Sequence, residues 1–241
     1  RLANPRVSPD GRRVVTSRPV QGNTDLWILD GARMSRLTFD AAEDSFPLWS
    51  PDGTRIIFRS QRTGVANLYQ TLTNGARGEE RLVSSVQIML PNSWSPDGRF
   101  MMYTSVDPET REDLWVVPMT GDHTPSVFLK TPFFEVYGKF SPDGRWIAYM
   151  SNESGRMEIY VRPFVAPGAA GAPSAATVGQ RQVSTAGGIM PEWRPDGRAL
   201  YYLNPAGEMM TAPTTVVGNM LEPGAPVVLF PTRIVRGGEF V

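Results

Sequence analysis

The segment Phe140-Ser-Pro-Asp-Gly-Arg-Trp-Ile-Ala-Tyr149 decides the fold, because close copies of it return along the whole chain. Its central tetrapeptide suits a tight hairpin turn: proline presets φ, aspartate accepts hydrogen bonds from nearby amides, and glycine takes the position with positive φ. The copies are Ser8–Gly11, Ser50–Gly53, Ser95–Gly98, Ser141–Gly144 and the variant Arg194–Gly197. We interpret their aspartates as structural turn residues rather than as a carboxylate cluster; they are Asp10, Asp52, Asp97, Asp143 and Asp196.

The spacing of these turns predicts a repeat architecture. Their first residues stand at positions 8, 50, 95, 141 and 194, so the intervals are 42, 45, 46 and 53 residues. Each interval holds four short apolar stretches, and apolar residues after each turn recur with a period of two, which is typical of β-strands. Repeats of this length with four strands indicate propeller blades. We therefore predict an all-β chain, a β-propeller of four-stranded antiparallel blades.

We predict a single β-propeller domain over residues 1–241 with five complete blades. Their approximate bounds are residues 4–39, 46–84, 90–130, 136–184 and 189–230, and residues 231–241 would be a stub of a further strand. The ring either closes with five blades or is a truncated or incomplete six-bladed ring. The second alternative is favoured, because residues 236–241 resemble the approach to another strand. An incomplete ring would expose a blade face and favour oligomers.

Aromatic residues recur once in each repeat. A large apolar residue directly precedes each turn: Val7, Trp49, Trp94, Phe140 and Trp193. The third strands open with an acid or amide and usually carry an aromatic residue two positions later, as in Asp25-Leu-Trp27 and Glu158-Ile-Tyr160. This regular recurrence favours packing between blades over a platform for sugars or bases.

Between the strands we expect a mobile surface loop at residues 166–177 and a second loop at residues 214–226.

Composition argues against several classes of partner and site. Lys and Arg number 24, as do Asp and Glu, so no broad basic surface for nucleic acid or an anionic membrane is expected. The chain has no cysteine, which excludes disulfides and thiolate metal sites. No apolar run approaches the roughly 18 residues of a membrane-spanning helix. We expect no membrane insertion by this segment, and any signal peptide or anchor would lie outside it.

The sequence shows no catalytic motif. It lacks a Gly-x-Ser-x-Gly elbow, a His-Glu-x-x-His helix and a phosphate-binding glycine loop. His123 is the only histidine, and its surroundings indicate an exposed turn residue, so a histidine-based triad or multi-histidine metal site is excluded. We predict no enzymatic activity and no cofactor. Chemistry by carboxylates alone, or a calcium ion held by oxygen ligands in a central channel, stays open.

One position in the first strand of each repeat varies while its neighbours are repetitive. Three residues before the turn proline stand Arg6, Leu48, Ser93, Lys139 and Glu192. Variation at such a position suits side chains that face the channel or mouth of a propeller, where a ligand breaks the symmetry of the repeats. The alternative is ordinary sequence drift at a solvent-exposed position. We predict ligand or partner contacts for Arg6, Ser93, Lys139 and Glu192.

The repeated unit Trp/Phe-Ser-Pro-Asp-Gly-x-x-Ile-Ala-Phe/Tyr-x-Ser, followed by Asp/Glu-Ile/Leu-Tyr/Trp, resembles the TolB-like, WD-type family of β-propeller repeats. Similar repeats occur in the propeller regions of some bacterial serine/threonine kinases and in tricorn-type and prolyl-oligopeptidase-type peptidases. Residues 199–203 and 222–230 are most similar to the kinase-associated versions. The resemblance covers nearly the whole chain and is specific for the fold rather than for one function.

The resemblance implies a non-catalytic sensor or scaffold domain that binds a protein or small ligand at a propeller mouth. It also implies a bacterial, extracytoplasmic location, either periplasmic or membrane-linked. The first alternative is the gating propeller of a serine peptidase whose catalytic domain lies outside this segment. The second is an enzyme that acts in the channel through carboxylates or a bound metal.

Overall fold

The computed structural model describes residues 2–76, 78–168 and 179–233. Among these residues the chain forms 21 β-strands and no helix. The first sheet holds β1 (Ala3–Val7), β2 (Arg13–Val20), β3 (Asn23–Asp30) and β4 (Arg33–Arg36). The second holds β5 (Asp44–Trp49), β6 (Arg55–Thr63), β7 (Val65–Leu72) and β8 (Glu80–Val83). The third holds β9 (Ile88–Trp94), β10 (Phe100–Asp107), β11 (Arg111–Pro118) and β12 (Ser126–Leu129).

The last two sheets follow the same plan. The fourth holds β13 (Glu135–Phe140), β14 (Trp146–Ser151), β15 (Glu158–Pro163) and β16 (Arg181–Gln182). The fifth holds β17 (Ile189–Trp193), β18 (Ala199–Leu203), β19 (Glu208–Val217), β20 (Met220–Pro223) and β21 (Val227–Pro231). Within the first four sheets the strands are neighbours in chain order, and a Pro-Asp-Gly corner joins the first strand to the second in each. The prediction of an all-β chain with five sheets of this kind is confirmed.

The fifth sheet differs from the predicted arrangement. The prediction of a loop over residues 214–226 is wrong for most of that segment, because β19 continues to Val217 and returns as β20. The β-branched run Thr214-Thr215-Val216-Val217 favours strand geometry, and Gly218, with φ of 61°, makes the turn. The predicted insert at residues 166–177 and the predicted stub at 231–241 fall mostly outside the described residues.

The described chain divides into two compact units, the first ending at Gly138 and the second beginning at Lys139, within β13. In the first unit the core lies between sheets. One cluster joins the first and second sheets and contains Val15, Leu26, Ile28, Trp49, Ile56, Phe58 and Tyr69. Another joins the second and third and includes Ile57, Leu68, Met101 and Tyr103. Both faces of β6 are therefore buried, as the apolar residues at successive positions predict.

At two of the three turns that follow a tryptophan, that tryptophan links neighbouring sheets by a hydrogen bond, whereas Trp94 Nε1 has no acceptor among the described residues. In the first unit Trp49 Nε1 donates to the carbonyl oxygen of Arg6 at 2.9 Å, and the Arg13 guanidinium lies 4.8 Å from the centre of the Trp49 ring. In the second unit Trp193 Nε1 donates to the carbonyl oxygen of Lys139 at 3.0 Å. The same residue position thus fixes one sheet on the next in each unit.

Replacing Trp49 with phenylalanine tests this link. We expect the Trp49→Phe variant to lose about 1–3 kcal/mol of unfolding free energy, because the Arg6 carbonyl loses its donor. The matched control is Trp27→Phe, since Trp27 Nε1 has no hydrogen-bond partner in the described part of the chain. Urea unfolding of both variants gives the comparison. An equal loss in the two variants would contradict the assigned role of the hydrogen bond.

Candidate functional site

The first strands of the sheets lie side by side in the first unit, where β1 contacts β5 and β5 contacts β9. Each of them carries a bulge. The register with the second strand shifts between Ala3 and Arg6 in β1 and between Ser45 and Leu48 in β5. In β9 the shift leaves Asn92 as the extra residue. Bulges redirect side chains and are enriched beside binding sites, so these strands are suited to present individual residues.

The bulges hold unusual backbone conformations. Four residues before the first residue of the turn, Asn4 (φ 51°), Phe46 (φ 53°) and Tyr137 (φ 57°) adopt the left-handed region in the first unit. Met190 (φ 56°) does so in the second unit. Residues other than glycine pay roughly 1–2 kcal/mol for this conformation, and such strain is concentrated at functional sites. In β9 the position is occupied by Pro91, whose ring excludes positive φ.

The structure brings two predicted contact residues to the same part of the first unit. Ser93 Oγ donates to the carbonyl oxygen of Gly138 at 2.8 Å, directly beside Tyr137. Burial raises the pKa of the Tyr137 phenol, and the positive charge of Arg6 opposes that shift. Arg6 is half-buried and makes no ion pair with a residue of the described chain. We name Arg6, Ser93 and Tyr137, which lie on the first strands β1, β9 and β13, the inner-strand site.

Sequence reasoning missed Tyr137. The available signal was its place four residues before the first residue of the turn, where Phe46 and Met190 are also large. Leu48, on the strand between β1 and β9, supplies only an apolar side chain at the predicted contact position. The site consequently combines one guanidinium, one phenol and one hydroxyl from three different strands.

The other two predicted contact residues pair with each other in the second unit. Lys139 Nζ lies 2.6 Å from Glu192 Oε1. The Lys139 side chain is 11% exposed, whereas that of Glu192 is 57% exposed, so the carboxylate is the more accessible of the two. Their charges offset each other. This pair is less suited than Arg6 to bind an additional charged group.

The predicted turn aspartates lie in the corners and accept hydrogen bonds there. In the third repeat Ser95 Oγ donates to Asp97 Oδ1 at 2.6 Å, and the Arg99 amide donates to the same oxygen at 3.0 Å. The same pattern holds for Asp10, Asp52 and Asp143. In the fifth corner Arg194 replaces the serine, and its Nε donates to Asp196 Oδ1 at 2.7 Å. These carboxylates therefore accept hydrogen bonds from backbone and side-chain donors of their own corners.

The corner hydrogen bonds predict a pH dependence. The Ser95 hydroxyl is the main cause that lowers the pKa of Asp97 to about 2. A carboxyl with a lower pKa folded than unfolded stabilises the fold above its unfolded value, near 3.9, and loses that contribution as pH falls toward its folded value. We expect the unfolding free energy to decrease between about pH 4 and pH 2, and less steeply in Asp97→Asn.

Urea unfolding at several pH values measures this dependence. Asp30→Asn, which removes an exposed acid at the end of β3, serves as the control and should retain the slope of the unmodified chain. Identical slopes in Asp97→Asn and the unmodified chain would show that the corner does not contribute.

The acids at the start of the third strands have a structural role that the sequence did not reveal. Glu158, 1% exposed, accepts hydrogen bonds from the Gly187 amide at 2.9 Å and from the Ser184 hydroxyl. Asp25, also 1% exposed, pairs with Arg36 at 2.8 Å. These bonds tie the third strand to the segment that follows it. We therefore assign these two acids a role in stabilising the fold.

Residues 2–76, 78–168 and 179–233 contain no group of three or more His, Cys, Asp or Glu side chains placed to hold a metal ion. His123 lies in the loop between β11 and β12, where its Nδ1 is 2.8 Å from the Pro118 carbonyl oxygen. No helix among the described residues is long and apolar enough to cross a membrane.

Comparison with known proteins agrees with the fold. Residues 2–112, just under half of the chain, match the TolB beta propeller domain. The putative TolB of Agrobacterium tumefaciens superposes with a TM-score of 0.71 at 17% identity, covering 95% of this chain and 82% of that one. The chain is similar to TolB-type β-propellers in sequence over these residues and in fold over most of its length. The predicted propeller fold and family resemblance are thus confirmed, while the closer similarity to kinase-associated propellers stays a prediction.

Two curated relatives of this chain belong to different kinds of protein. The TolB homolog of Chlorobium luteolum is 30% identical over 135 residues, which are 55% of this chain and 29% of that protein. Dipeptidyl-peptidase 5 of Porphyromonas gingivalis is 30% identical over 122 residues, 46% of this chain and 17% of that protein. The chain matches less than a third of the length of either relative.

Proposed function

We propose that this TolB-like propeller is a non-catalytic binding module that holds a carboxylate-bearing segment of a protein partner at the inner-strand site. The observation that carries the proposal is Arg6, a half-buried guanidinium that makes no ion pair within the described chain. The family relationship to TolB proteins supports a binding role. A bacterial, extracytoplasmic location is part of the same proposal.

The chemistry of the site favours a carboxylate. A guanidinium that is partly removed from water gains most from an anion that accepts two parallel hydrogen bonds. Burial raises the pKa of the Tyr137 phenol, which is therefore uncharged at neutral pH and does not repel a carboxylate. The Ser93 hydroxyl donates its hydrogen to the Gly138 carbonyl oxygen and can only accept from a ligand, so Arg6 is the donor of the site. A peptide C-terminus or an acidic side chain matches the Arg6 guanidinium.

The test compares short peptides that end in a free carboxylate with the same peptides ending in an amide, using fluorescence anisotropy. We expect the acids to bind more tightly, and Arg6→Ala to weaken their binding by about 10-fold to 100-fold, since hydrogen bonds to charged groups contribute roughly 1.5–3 kcal/mol. The control is Arg12→Ala, which removes an exposed arginine of the first corner.

Two results would contradict the proposal. Equal affinity for acid and amide peptides would show that no carboxylate is recognised. Equal effects of Arg6→Ala and Arg12→Ala would show a diffuse charge effect rather than a site. Thermal unfolding of each variant separates loss of binding from loss of fold.

The second candidate function is the gating propeller of a serine peptidase whose catalytic domain lies outside this segment. The similarity to dipeptidyl-peptidase 5 over 122 residues favours it. A Gly-x-Ser-x-Gly elbow downstream in the parent reading frame would support the peptidase, and a kinase domain upstream would support a sensor.

A carboxylate- or metal-dependent enzyme stays a prediction that metal analysis with hydrolase and lyase assays on this chain would test.

A further inference from the structure

Neighbouring sheets of the first unit pack through two kinds of face. We call the face that meets the following sheet the trailing face, and the face that meets the preceding sheet the leading face. The second and third sheets bury apolar side chains against each other: Ile57, Leu68 and Val83 on the trailing face, and Trp94, Met101 and Val117 on the leading face. These side chains are at most 7% exposed. Burial of such apolar surface holds one sheet on the next.

The trailing face of the fifth sheet is exposed. Strand register gives its residues at the positions of Ile57, Leu68 and Val83, in that order: Tyr201, Met209 and Phe230. Phe230 is 54% exposed, whereas Val83 is 5% exposed. Tyr201 and Met209 are half-buried, although their counterparts in the second sheet are fully buried. An apolar face of the kind that meets another sheet is therefore open to solvent.

The leading face of the first sheet is exposed as well. Strand register gives its residues at the positions of Trp94, Met101 and Val117, in that order: Val7, Val14 and Leu29. Val7 is 64% exposed, and Val14 and Leu29 are half-buried. The chain therefore exposes one face of each kind, on two different sheets.

We propose that a second copy of this chain covers these faces, so that the leading face of its first sheet packs on the trailing face of the fifth sheet. The contact repeats between copies an interface that the chain already forms twice, between the first and second sheets and between the second and third. A second copy supplies the missing partner of each kind. The contact is heterologous, because each copy contributes a different face.

The chemistry of the exposed faces suits this occupant. Their six named side chains are aliphatic, aromatic or thioether groups, so the contact places no unpaired charge among them. Exposed apolar patches on folded chains mark sites of protein association. The proposal goes beyond the proposed binding function and uses no residue of the inner-strand site.

Sedimentation velocity of the 241-residue chain over a range of micromolar concentrations tests for association. We expect the average mass to rise above that of one chain as the concentration increases, because both faces gain by leaving water. The mass of a single chain at every concentration would overturn the proposal.

Aspartate variants test which faces meet. Phe230→Asp alters the trailing face and Val7→Asp the leading face, and each should weaken association by about tenfold or more, because the contact would then bury an unpaired charge. The matched control is Val86→Asp, since Val86 is 91% exposed and lies between β8 and β9. It should leave association unchanged. Equal association of Phe230→Asp and Val86→Asp would overturn the proposal, and thermal unfolding of each variant confirms that the fold is retained.

Mixing the variants distinguishes the proposed contact from one between like faces. Phe230→Asp keeps its leading face and Val7→Asp keeps its trailing face. We therefore expect each variant alone to stay a single chain and the mixture to form a two-chain complex. Self-association of Val7→Asp with no gain on mixing would show that trailing faces pair with each other, which would overturn the proposal. Arg6→Ala should not change the mass, so this proposal and the proposed function fail separately.

Discussion

The hydrogen-bonded corner between the first and second strands is the constraint on which the other features depend. Its aspartate accepts from a serine hydroxyl and from the amide two residues on, as in Ser95, Asp97 and Arg99, while glycine supplies the positive φ. The corner fixes where the first strand ends and therefore where its tryptophan stands. Because Trp49 donates to the Arg6 carbonyl, local turn geometry helps to determine how the second sheet meets the first.

Much of the fold could be predicted because its determinants are local. A Pro-Asp-Gly corner and alternating apolar residues specify a hairpin without reference to the rest of the chain. The missed features depend on distant partners. The bulge at Phe46 depends on how β5 pairs with β6. The hairpin of β19 and β20, in which β19 ends at Val217, was not predicted because the prolines and glycines around it are typical of a loop. The structural role of Glu158 depends on a hydrogen bond from the amide of Gly187, and the sequence does not show that these two residues meet.

The candidate sites were predictable only in part for the same reason. Variation at one repeat position pointed to Arg6 and Lys139 equally, since sequence spacing shows position but not ion pairing. The structure separates them: Lys139 pairs with Glu192, whereas Arg6 does so with no described residue.

The neighbour-to-neighbour strand order of the first four sheets has a consequence for biosynthesis. Each sheet is assembled from one continuous stretch of chain, so the loops that must close are short and their entropic cost is modest. Nearly all pairing partners of a sheet have left the ribosome before the next sheet is translated. Since synthesis is slow compared with hairpin formation, one sheet can form while the next is still being made. Pairing within each completed sheet would then leave only its two edge strands unpaired while the next sheet is made.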